Sequence, residues 1–406
     1  MYADIKLPRD IYASEEHQML KDTINEYYKQ FIEPHRERWE EQGYCDKDAW
    51  LKAGELGLLC LDMPEEYGGG GLDFTFAALL IEEFSRLGAN APGFSMHSDI
   101  IAPYILKLGT EEQKKKFIPK MASGEWVGCL GMTEPGTGSD VQAIRTTAAD
   151  MGDHYLINGS KTFITIGYNA YFCIVACKTN PGTPKEGISL IIVEEGMEGF
   201  SKGKPFKKLG LKESDTCELF FEDVKVPKEN LLGIEGKGFI HMMTELPRER
   251  HTIGLQSVGS AEGAIEDTIV YTQTREAFKQ PICGFQNTQF KMAEMAMDLQ
   301  MHQAFIDRCT QLLAEGKLTA IQASMSKSSG SDMQARVVDG CLQLHGGYGY
   351  MWEFAIARRY ADARVARIYG GTNEIMKLMI SRGLFKDYHA ELKAKRKAAK
   401  AKAAAQ

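Results

Sequence analysis

The chain has 406 residues, of which 44% are hydrophobic and 25% charged, so its composition is that of a globular protein and excludes general disorder. It carries 48 Lys and Arg against 55 Asp and Glu, a net charge of −7. Because nucleic-acid-binding proteins usually present a basic surface, this balance indicates that nucleic acid is not a partner.

Residues 1–125 are predicted to form an N-terminal helical domain. Ser14 precedes two acidic residues, and apolar residues then recur with a period near 3.6, which predicts a helix that ends at Pro34. A second helical pattern covers 76–84, and the four residues that begin at Thr110 match a capping box.

Residues 126–235 are predicted to form a middle β-domain. Asn158-Gly159 lies between two runs of strand-forming residues, which predicts a β-hairpin with a type I′ turn. Further strands are predicted over 170–178, 188–194 and 217–226.

Residues 236–390 are predicted to form a C-terminal helical bundle. Three long helices are expected near 237–272, 285–315 and 318–345, and two shorter ones near 352–364 and 372–386. Residues 391–406 form a basic, Lys/Ala-rich tail that we expect to be disordered. The predicted fold is therefore mostly α with a central β-domain. A doubly wound α/β sheet is not indicated, because strands and helices do not alternate.

Several classes of site and location are not indicated by the sequence. No apolar run approaches the length of a membrane span, and the N-terminus has no signal or transit pattern. The nine cysteines include no C-x-x-C pair, and the nine histidines show no metal-ligand spacing. We therefore expect a cytoplasmic, bacterial-like protein with reduced thiols, no metal and no integral membrane segment.

Three loops combine glycines with small polar residues. The loop 132–140 can wrap a flat polar ligand or can be an ordinary turn. The loop 343–349 is either a helix C-cap or a phosphate contact, and 367–375 is either a helix N-cap or an anion site. Composition alone leaves these alternatives open.

Taken together, these segments resemble motifs of the acyl-CoA dehydrogenase family, and most closely its long-chain branch, over residues 10–388. Met-Thr-Glu-Pro-Gly-Thr-Gly-Ser-Asp at 132–140 resembles the family's flavin loop, and Asn-Gly-Ser-Lys-Thr-Phe-Ile-Thr at 158–165 resembles the segment that packs on the isoalloxazine ring. The segments 275–286, 343–347 and 371–374 resemble the remaining FAD contacts. The resemblance implies a helical domain, a β-barrel-like domain and a four-helix bundle.

The resemblance also implies the cofactor, the substrate and their contacts. FAD is expected to contact Met132, Thr133, Gly138, Ser139, Phe163, Ile164, Thr165, Arg275, Phe278, Gln286, Gln343, Leu344, His345, Gly346, Gly347, Thr372, Asn373 and Glu374. The acyl-CoA substrate is expected at Ser139, Arg250, Gly370 and Gly371. Family members commonly form homotetramers with FAD at a subunit interface, so Arg275, Gln286 and 343–347 are expected to serve a neighbour's FAD. Electron-transfer flavoprotein is the implied electron acceptor.

The catalytic base is assigned by the same resemblance. Many members carry a Glu where this chain has Gly370, which cannot move a proton, whereas the long-chain and isovaleryl branches place the base in a helical segment that ends Glu-Arg. Here that segment is 245–250, so Glu249 is the implied base. Glu245 lies four residues away, roughly on the same helix face, and Pro247 between them can disturb the register.

The implied reaction is α,β-dehydrogenation of a fatty acyl-CoA to the trans-2-enoyl-CoA, the first step of fatty-acid β-oxidation. Two alternatives in other substrate or reaction classes stay open. One is a branched-chain or isoprenoid acyl-CoA dehydrogenase of the isovaleryl- or citronellyl-CoA type, because the isovaleryl branch shares the helix base. The other is a flavin oxidase or monooxygenase on the same fold. A non-enzymatic binding module is disfavoured by the complete set of FAD motifs.

Overall fold

The computed structural model describes residues 5–90, 92–179 and 187–388, and the predicted basic tail lies outside them. The N-terminal part is helical, as predicted. Its helices are α1 (Glu15–Tyr27), α2 (Arg36–Gln42), α3 (Lys47–Glu55), α4 (Phe74–Arg86), α5 (Ala102–Leu108) and α6 (Glu111–Ala122).

The first helix differs from its prediction at its end. It is α-helical only to Tyr27 and continues as a π turn over Tyr28–Ile32 and a 3-10 turn over Glu33–His35. Pro34 has no backbone N–H and its ring conflicts with regular helical bonding, so the last turns change their hydrogen-bond pattern. The predicted capping box at Thr110 is confirmed, since its hydroxyl and the Gln113 side chain bond reciprocally to the backbone.

The middle part contains one mixed sheet. Its strands are β1 (Gly128–Gly131), β2 (Thr147–Asp150), β3 (His154–Thr165), β4 (Phe172–Lys178), β5 (Ile188–Glu194), β6 (Phe200–Lys202), β7 (Thr216–Pro227) and β8 (Leu231–Leu232). They are ordered β6-β7-β3-β2-β4-β5-β8, and β1 pairs with β4. The strands predicted over 170–178, 188–194 and 217–226 are therefore present, with small shifts at their ends.

The predicted hairpin at Asn158-Gly159 is wrong. β3 runs straight through these residues and pairs with β7 on both sides of an irregularity at Gly159. A Cβ on Gly159 would lie 2.6 Å from Oγ1 of Thr146, so the glycine allows close approach of the neighbouring chain instead of forming a turn.

The C-terminal part is helical, and the three long and two shorter predicted helices are present. They are α7 (Gly238–Thr274), α8 (Gln286–Ala314), α9 (Ala320–His345), α10 (Ala355–Ala363) and α11 (Asn373–Leu384). A two-stranded hairpin, β9 (Glu276–Ala277) and β10 (Gln280–Pro281), connects α7 to α8. Within the described ranges, none of the helices combines the length and apolar character that crossing a bilayer requires.

Helix α7 is the central element of this arrangement. It packs against α8 and α9 of its own bundle and against α4 of the N-terminal part. Its apolar residues join those of α4, α8 and α9 in one core, which includes Leu255, Ile306 and Val337. A residue on α7 can therefore meet groups from both helical parts of the chain.

Candidate active site

Glu249, the predicted base, lies inside the protein on α7. Its side chain is only 8% exposed, and its Oε1 accepts a hydrogen bond of 2.9 Å from the Tyr104 hydroxyl on α5. Burial raises the pKa of Glu249 to about 7, and the charge of Glu245 adds to the shift, whereas the Tyr104 hydrogen bond and the Arg250 charge oppose it. Such a carboxyl group changes its charge close to neutral pH, as a general base requires.

Glu245, the other carboxylate in this segment, has a different partner. It is also buried, but its Oε2 lies 2.8 Å from Nζ of Lys107, which extends from α5 towards solvent. Helix α7 continues through Pro247, so the two carboxylates stay one turn apart. Glu245 is therefore held in an ion pair, whereas the hydrogen-bond partner of Glu249 among the described residues is a neutral hydroxyl group.

The loop at Gly370 and Gly371 packs beside the same stretch of α7. Both glycines adopt positive φ, +63° and +87°. A Cβ added to Gly370 would overlap the δ-methyl group of Ile253, which is one turn after Glu249. The loop glycine therefore packs on α7 one turn beyond Glu249, so the structure places these two predicted site residues on neighbouring segments.

Lys327 of α9 binds this loop from the interior of the protein. No sequence motif singled out this lysine. Its ammonium group is fully buried on α9 and donates to the Gly371 carbonyl at 2.7 Å and to Oδ1 of Asn373 at 2.8 Å. Burial lowers the pKa of Lys327 to about 8. The sequence feature that could have indicated it is the set of serines at 324, 326 and 328, because small polar residues inside a long helix indicate a close-packed polar contact.

Arg250, predicted to contact the substrate, points into the contact between α7 and α9. Its Nη1 lies 3.3 Å from Oγ of Ser324, and its Nε has no partner within the described residues. Burial lowers the pKa of Arg250, and the Glu249 charge opposes that shift. Its position places a positive charge near Glu249, while a direct substrate contact stays a prediction.

The predicted flavin loop 132–140 is anchored to β3 by a buried ion pair. Lys161 of β3 is fully buried, and its Nζ lies 2.8 Å from Oε1 of Glu134 and 3.2 Å from the Met132 carbonyl. Burial alone would raise the pKa of Glu134. The Lys161 charge and the hydrogen bonds from Lys161 and Thr146 outweigh burial and lower this pKa. The backbone N–H of Thr162 also donates to the Thr133 carbonyl. These contacts attach the loop to β3. No sequence motif singled out Lys161 and Glu134 for this structural role.

The outer surface of this loop and strand is open. Phe163 has a φ of +57° and a side chain that is 67% exposed, and Ser139 is exposed as well. A Cβ on Gly138 would meet no atom within 4 Å. The half-buried Thr133 and Thr165 add hydroxyl groups at the edge, whereas Ile164 points into the core. An exposed aromatic ring beside open backbone and hydroxyl groups fits a large flat ligand such as a flavin ring.

A second group of predicted FAD residues lies near the end of α7 and the end of α9, which Tyr271 of α7 joins. The Tyr271 ring stacks on buried His345, with centroids 4.1 Å apart, and its hydroxyl donates to the His345 carbonyl. Arg275 lies over the Tyr348 ring at 5.5 Å. Phe278 of this group projects outward and is 91% exposed. Leu344 is half-buried. The other predicted FAD residues of the group are exposed: Gln286, Gln343, Gly346 and Gly347.

The third predicted group begins α11. Thr372 caps the helix, since its Oγ1 accepts from the Ile375 N–H at 3.3 Å, and Glu374 is exposed in the first turn. The Asn373 side chain is buried and bonds to Ser331 as well as to Lys327. Asn373 can therefore serve a ligand only through its backbone, and its side chain holds the loop to α9.

Models of three domains match the chain in sequence order. They are the acyl-CoA dehydrogenase N-terminal domain over residues 14–125, the middle domain over 129–224 and the C-terminal domain over 236–385.

Among curated proteins, the mitochondrial long-chain specific acyl-CoA dehydrogenase of Sus scrofa is 46% identical over 381 residues, covering 93% of this chain and 88% of that protein. The mitochondrial short-chain specific acyl-CoA dehydrogenase of Rattus norvegicus is 35% identical over 390 residues, covering 96% of this chain and 93% of that protein.

Solved structures agree with the sequence matches. An acyl-CoA dehydrogenase from Geobacillus kaustophilus superposes with a TM-score of 0.90 at 44% identity, covering 92% of this chain and 99% of that one. An acyl-CoA dehydrogenase from Bacillus anthracis, solved as a complex with FAD, gives 0.86 at 37% identity, covering 97% of this chain and 72% of that one. The chain therefore belongs to the acyl-CoA dehydrogenase family and is an FAD-dependent oxidoreductase of that family's fold.

Proposed function

We propose that the protein oxidises a long-chain fatty acyl-CoA to the trans-2-enoyl-CoA, the first step of fatty-acid β-oxidation, with Glu249 as the catalytic base. The observation that carries this proposal is the buried Glu249 carboxyl group on α7, one turn before the residue on which the Gly370 loop packs. Burial brings its pKa to about 7, so it can accept the weakly acidic proton next to a thioester carbonyl near neutral pH.

Glu249, Gly370 and Lys327 have different roles in the proposed reaction. Glu249 takes the α-proton, and we assign to the backbone N–H of Gly370 the stabilisation of the negative charge that develops on the thioester oxygen. Lys327 holds the following residue of this loop, because it donates to the Gly371 carbonyl. FAD, when bound, supplies the acceptor for the hydride that leaves the β-carbon.

The FAD contacts belong to two surfaces. We infer that the first surface, formed by 132–139 and 163–165, holds the flavin of its own subunit together with Thr372 and Glu374 at the start of α11. The second surface, around Arg275 and Phe278, projects outward and fits a neighbouring subunit's cofactor. Exposed apolar side chains on α8, namely Phe290, Met297 and Met301, support burial against another copy. These features support a homotetramer, which sedimentation would test.

Chain length is the finer part of the proposal. The higher identity to the long-chain relatives than to the short-chain one supports a long acyl group. Isovaleryl- and citronellyl-CoA remain the competing substrates, since a base on the helix serves them equally well. Anaerobic titration of the purified holoenzyme with palmitoyl-, isovaleryl- and citronellyl-CoA distinguishes them. Fastest flavin bleaching by palmitoyl-CoA is expected, and fastest bleaching by either other compound would contradict the long-chain assignment.

The base is tested with a matched pair of variants. Glu249→Gln is expected to keep bound FAD and to lose nearly all flavin reduction by acyl-CoA, because an amide cannot accept the proton. Glu245→Gln removes the neighbouring carboxylate instead and is expected to retain measurable reduction. Rapid reduction of the Glu249→Gln enzyme would overturn the assignment.

Reduced FAD must be reoxidised, and we propose electron-transfer flavoprotein as the acceptor, as is typical of the family. Reoxidation by purified electron-transfer flavoprotein, compared with reoxidation by dissolved oxygen, tests this partner and separates a dehydrogenase from an oxidase.

The cytoplasmic location expected from the sequence stays a prediction, which cell fractionation would test.

A further inference from the structure

Helix α5 presents two side chains to the two buried carboxylates of α7. Tyr104 and Lys107 are three residues apart on α5, and Glu245 and Glu249 are four residues apart on α7, so each pair shares one helix face. The resulting contacts are Tyr104 to Glu249 at 2.9 Å and Lys107 to Glu245 at 2.8 Å. A neutral donor thus faces one carboxylate, and a cation faces the other.

We propose that Tyr104 is a positioning residue, whose hydroxyl holds Oε1 of Glu249 so that Oε2 is the oxygen that takes the substrate's proton. Lys107, on the same helix, pairs with Glu245 and keeps that carboxylate out of the reaction. This inference rests on the proposed function, because it assumes that Glu249 is the base. It adds a residue from a different part of the chain to the reaction centre.

The chemistry of the contact fixes the direction of the hydrogen bond. Burial, and then the charge of Glu249, raise the pKa of Tyr104 well above its ordinary value, so the phenol keeps its proton and can only donate to the carboxylate. In the reaction the α-carbon's C–H bond breaks, an O–H bond forms at Oε2, and the electron pair moves towards the thioester oxygen. Oε1 accepts from Tyr104 before and after this transfer, so the hydrogen bond is strongest while Glu249 is ionised.

The other charged groups around Glu249 act in opposite directions. From its own helix, Glu245 disfavours ionisation of Glu249 and Arg250 favours it. From α5, Lys107 neutralises Glu245. From α9, Lys327 interacts electrostatically with Arg250. Within the part of the chain that the structure describes, Tyr104 is the group that bonds directly to the Glu249 carboxylate, and it stabilises the ionised form without adding a charge.

The hydroxyl is separable from the ring. Tyr104 is fully buried, in the same apolar core as Ile101, Phe117 and Met242. Tyr104→Phe keeps that packing and removes only the oxygen. The matched control is Tyr27→Phe, because Tyr27 is equally buried and donates to the Ala49 carbonyl, away from the candidate active site.

The experiment measures flavin reduction by a saturating acyl-CoA against pH in the holoenzyme, using stopped flow. For Tyr104→Phe, the midpoint of the rise in rate should move upward, with a rate about tenfold lower than the parent at pH 6 and similar to it at pH 9. Tyr27→Phe should follow the parent at every pH. Site-specific 3,5-difluorotyrosine at position 104, a stronger donor, should move the midpoint downward.

The outcomes separate this inference from the proposed function. If Glu249→Gln is inactive while Tyr104→Phe has the parent's pH profile, the role of Tyr104 is wrong and Glu249 remains the base. If Glu249→Gln is reduced as fast as the parent, the base assignment itself fails. If Tyr104→Phe does not fold, the fluorinated enzyme decides, and an unchanged midpoint there overturns the inference.

Discussion

Ile253 occupies the space that a side chain on Gly370 would need, and this contact lies one helical turn beyond Glu249. The Glu249 carboxylate and the loop glycine therefore lie on neighbouring segments of one candidate site. A loop with a longer residue at 370 would have to displace Ile253 from its place on α7. The loop also requires positive φ at Gly370, which residues with a Cβ rarely adopt.

Gly370→Ala is expected to reduce both stability and flavin reduction. The left-handed backbone costs a non-glycine residue about 1 to 2 kcal/mol, and the overlap with Ile253 adds to that cost. Gly316→Ala is the matched control, since Gly316 has a φ of +68° and open space around its Cβ position. Thermal melting should show a larger loss for Gly370→Ala, and acyl-CoA reduction should fall in that variant alone. Equal losses of stability would show that the Ile253 contact is unimportant.

The order of elements could be predicted because it depends on local patterns. The first helix repeats apolar residues with a period near 3.6, and the capping box at Thr110 is a local arrangement of backbone and side chains. The hairpin at Asn158-Gly159 failed because the same dipeptide suits a tight turn and a close approach between strands. Thr146 lies against Gly159 and leaves no room for a side chain there, but it is 13 residues away and so falls outside a dipeptide pattern.

Only some residues of the candidate site could be singled out from the sequence. Glu249 and Gly370 were identified by resemblance to a family pattern, whereas Tyr104, Lys161 and Lys327 were not singled out. Tyr104 meets Glu249 across 145 residues of sequence, and such a pairing exists only after α5 has packed on α7. Buried polar partners are thus the part of the site that local sequence patterns do not specify.

Flavin reduction by acyl-CoA is expected to rise with pH between 6 and 8. The proton acceptor must be ionised, and burial raises the pKa of Glu249 to about 7, so its ionised fraction grows about tenfold over this range. Stopped-flow rates at saturating substrate measure the effect, with dithionite reduction of the same enzyme as the control for the flavin. A rate that is flat or falls between pH 6 and 8 would contradict the role of Glu249.

Lys161→Met and Lys327→Met are expected to impair different steps, although both lysines are fully buried. Lys161 supports the loop 132–140 through Glu134, so its loss should leave that carboxylate unpaired and reduce FAD content. Lys327 supports Gly371 and also Asn373, which lies between the predicted FAD residues Thr372 and Glu374, so its loss should slow reduction by acyl-CoA more than it lowers FAD content. The ratio of flavin to protein absorbance and the reduction rate separate the two effects. Loss of FAD from Lys327→Met with a normal FAD content in Lys161→Met would reverse these assignments.

Arg248→Met is expected to destabilise the protein more at pH 8 than at pH 5.5. Arg248 bonds to both oxygens of Asp62, at 2.6 and 3.0 Å, and to Oδ1 of Asp99 at 3.1 Å, and this cluster ties α7 to the π turn before α5. Burial raises the pKa of Asp99 to about 7 even though Arg248 opposes the shift. Removing the cation raises that pKa further, so the variant should lose more stability as pH rises through 7 and Asp99 must ionise without its partner.

The size of the Arg248→Met effect should be about 3 to 5 kcal/mol at pH 8, as is typical when one partner of a buried ion pair is removed. Arg336→Met is the control, because Arg336 forms an exposed pair with Asp298 at 2.7 Å, worth about 1 kcal/mol or less. Thermal melting of both variants at the two pH values provides the comparison. A deficit for Arg248→Met that is independent of pH, or no larger than that of Arg336→Met, would mean that Asp99 does not depend on Arg248 for its charge.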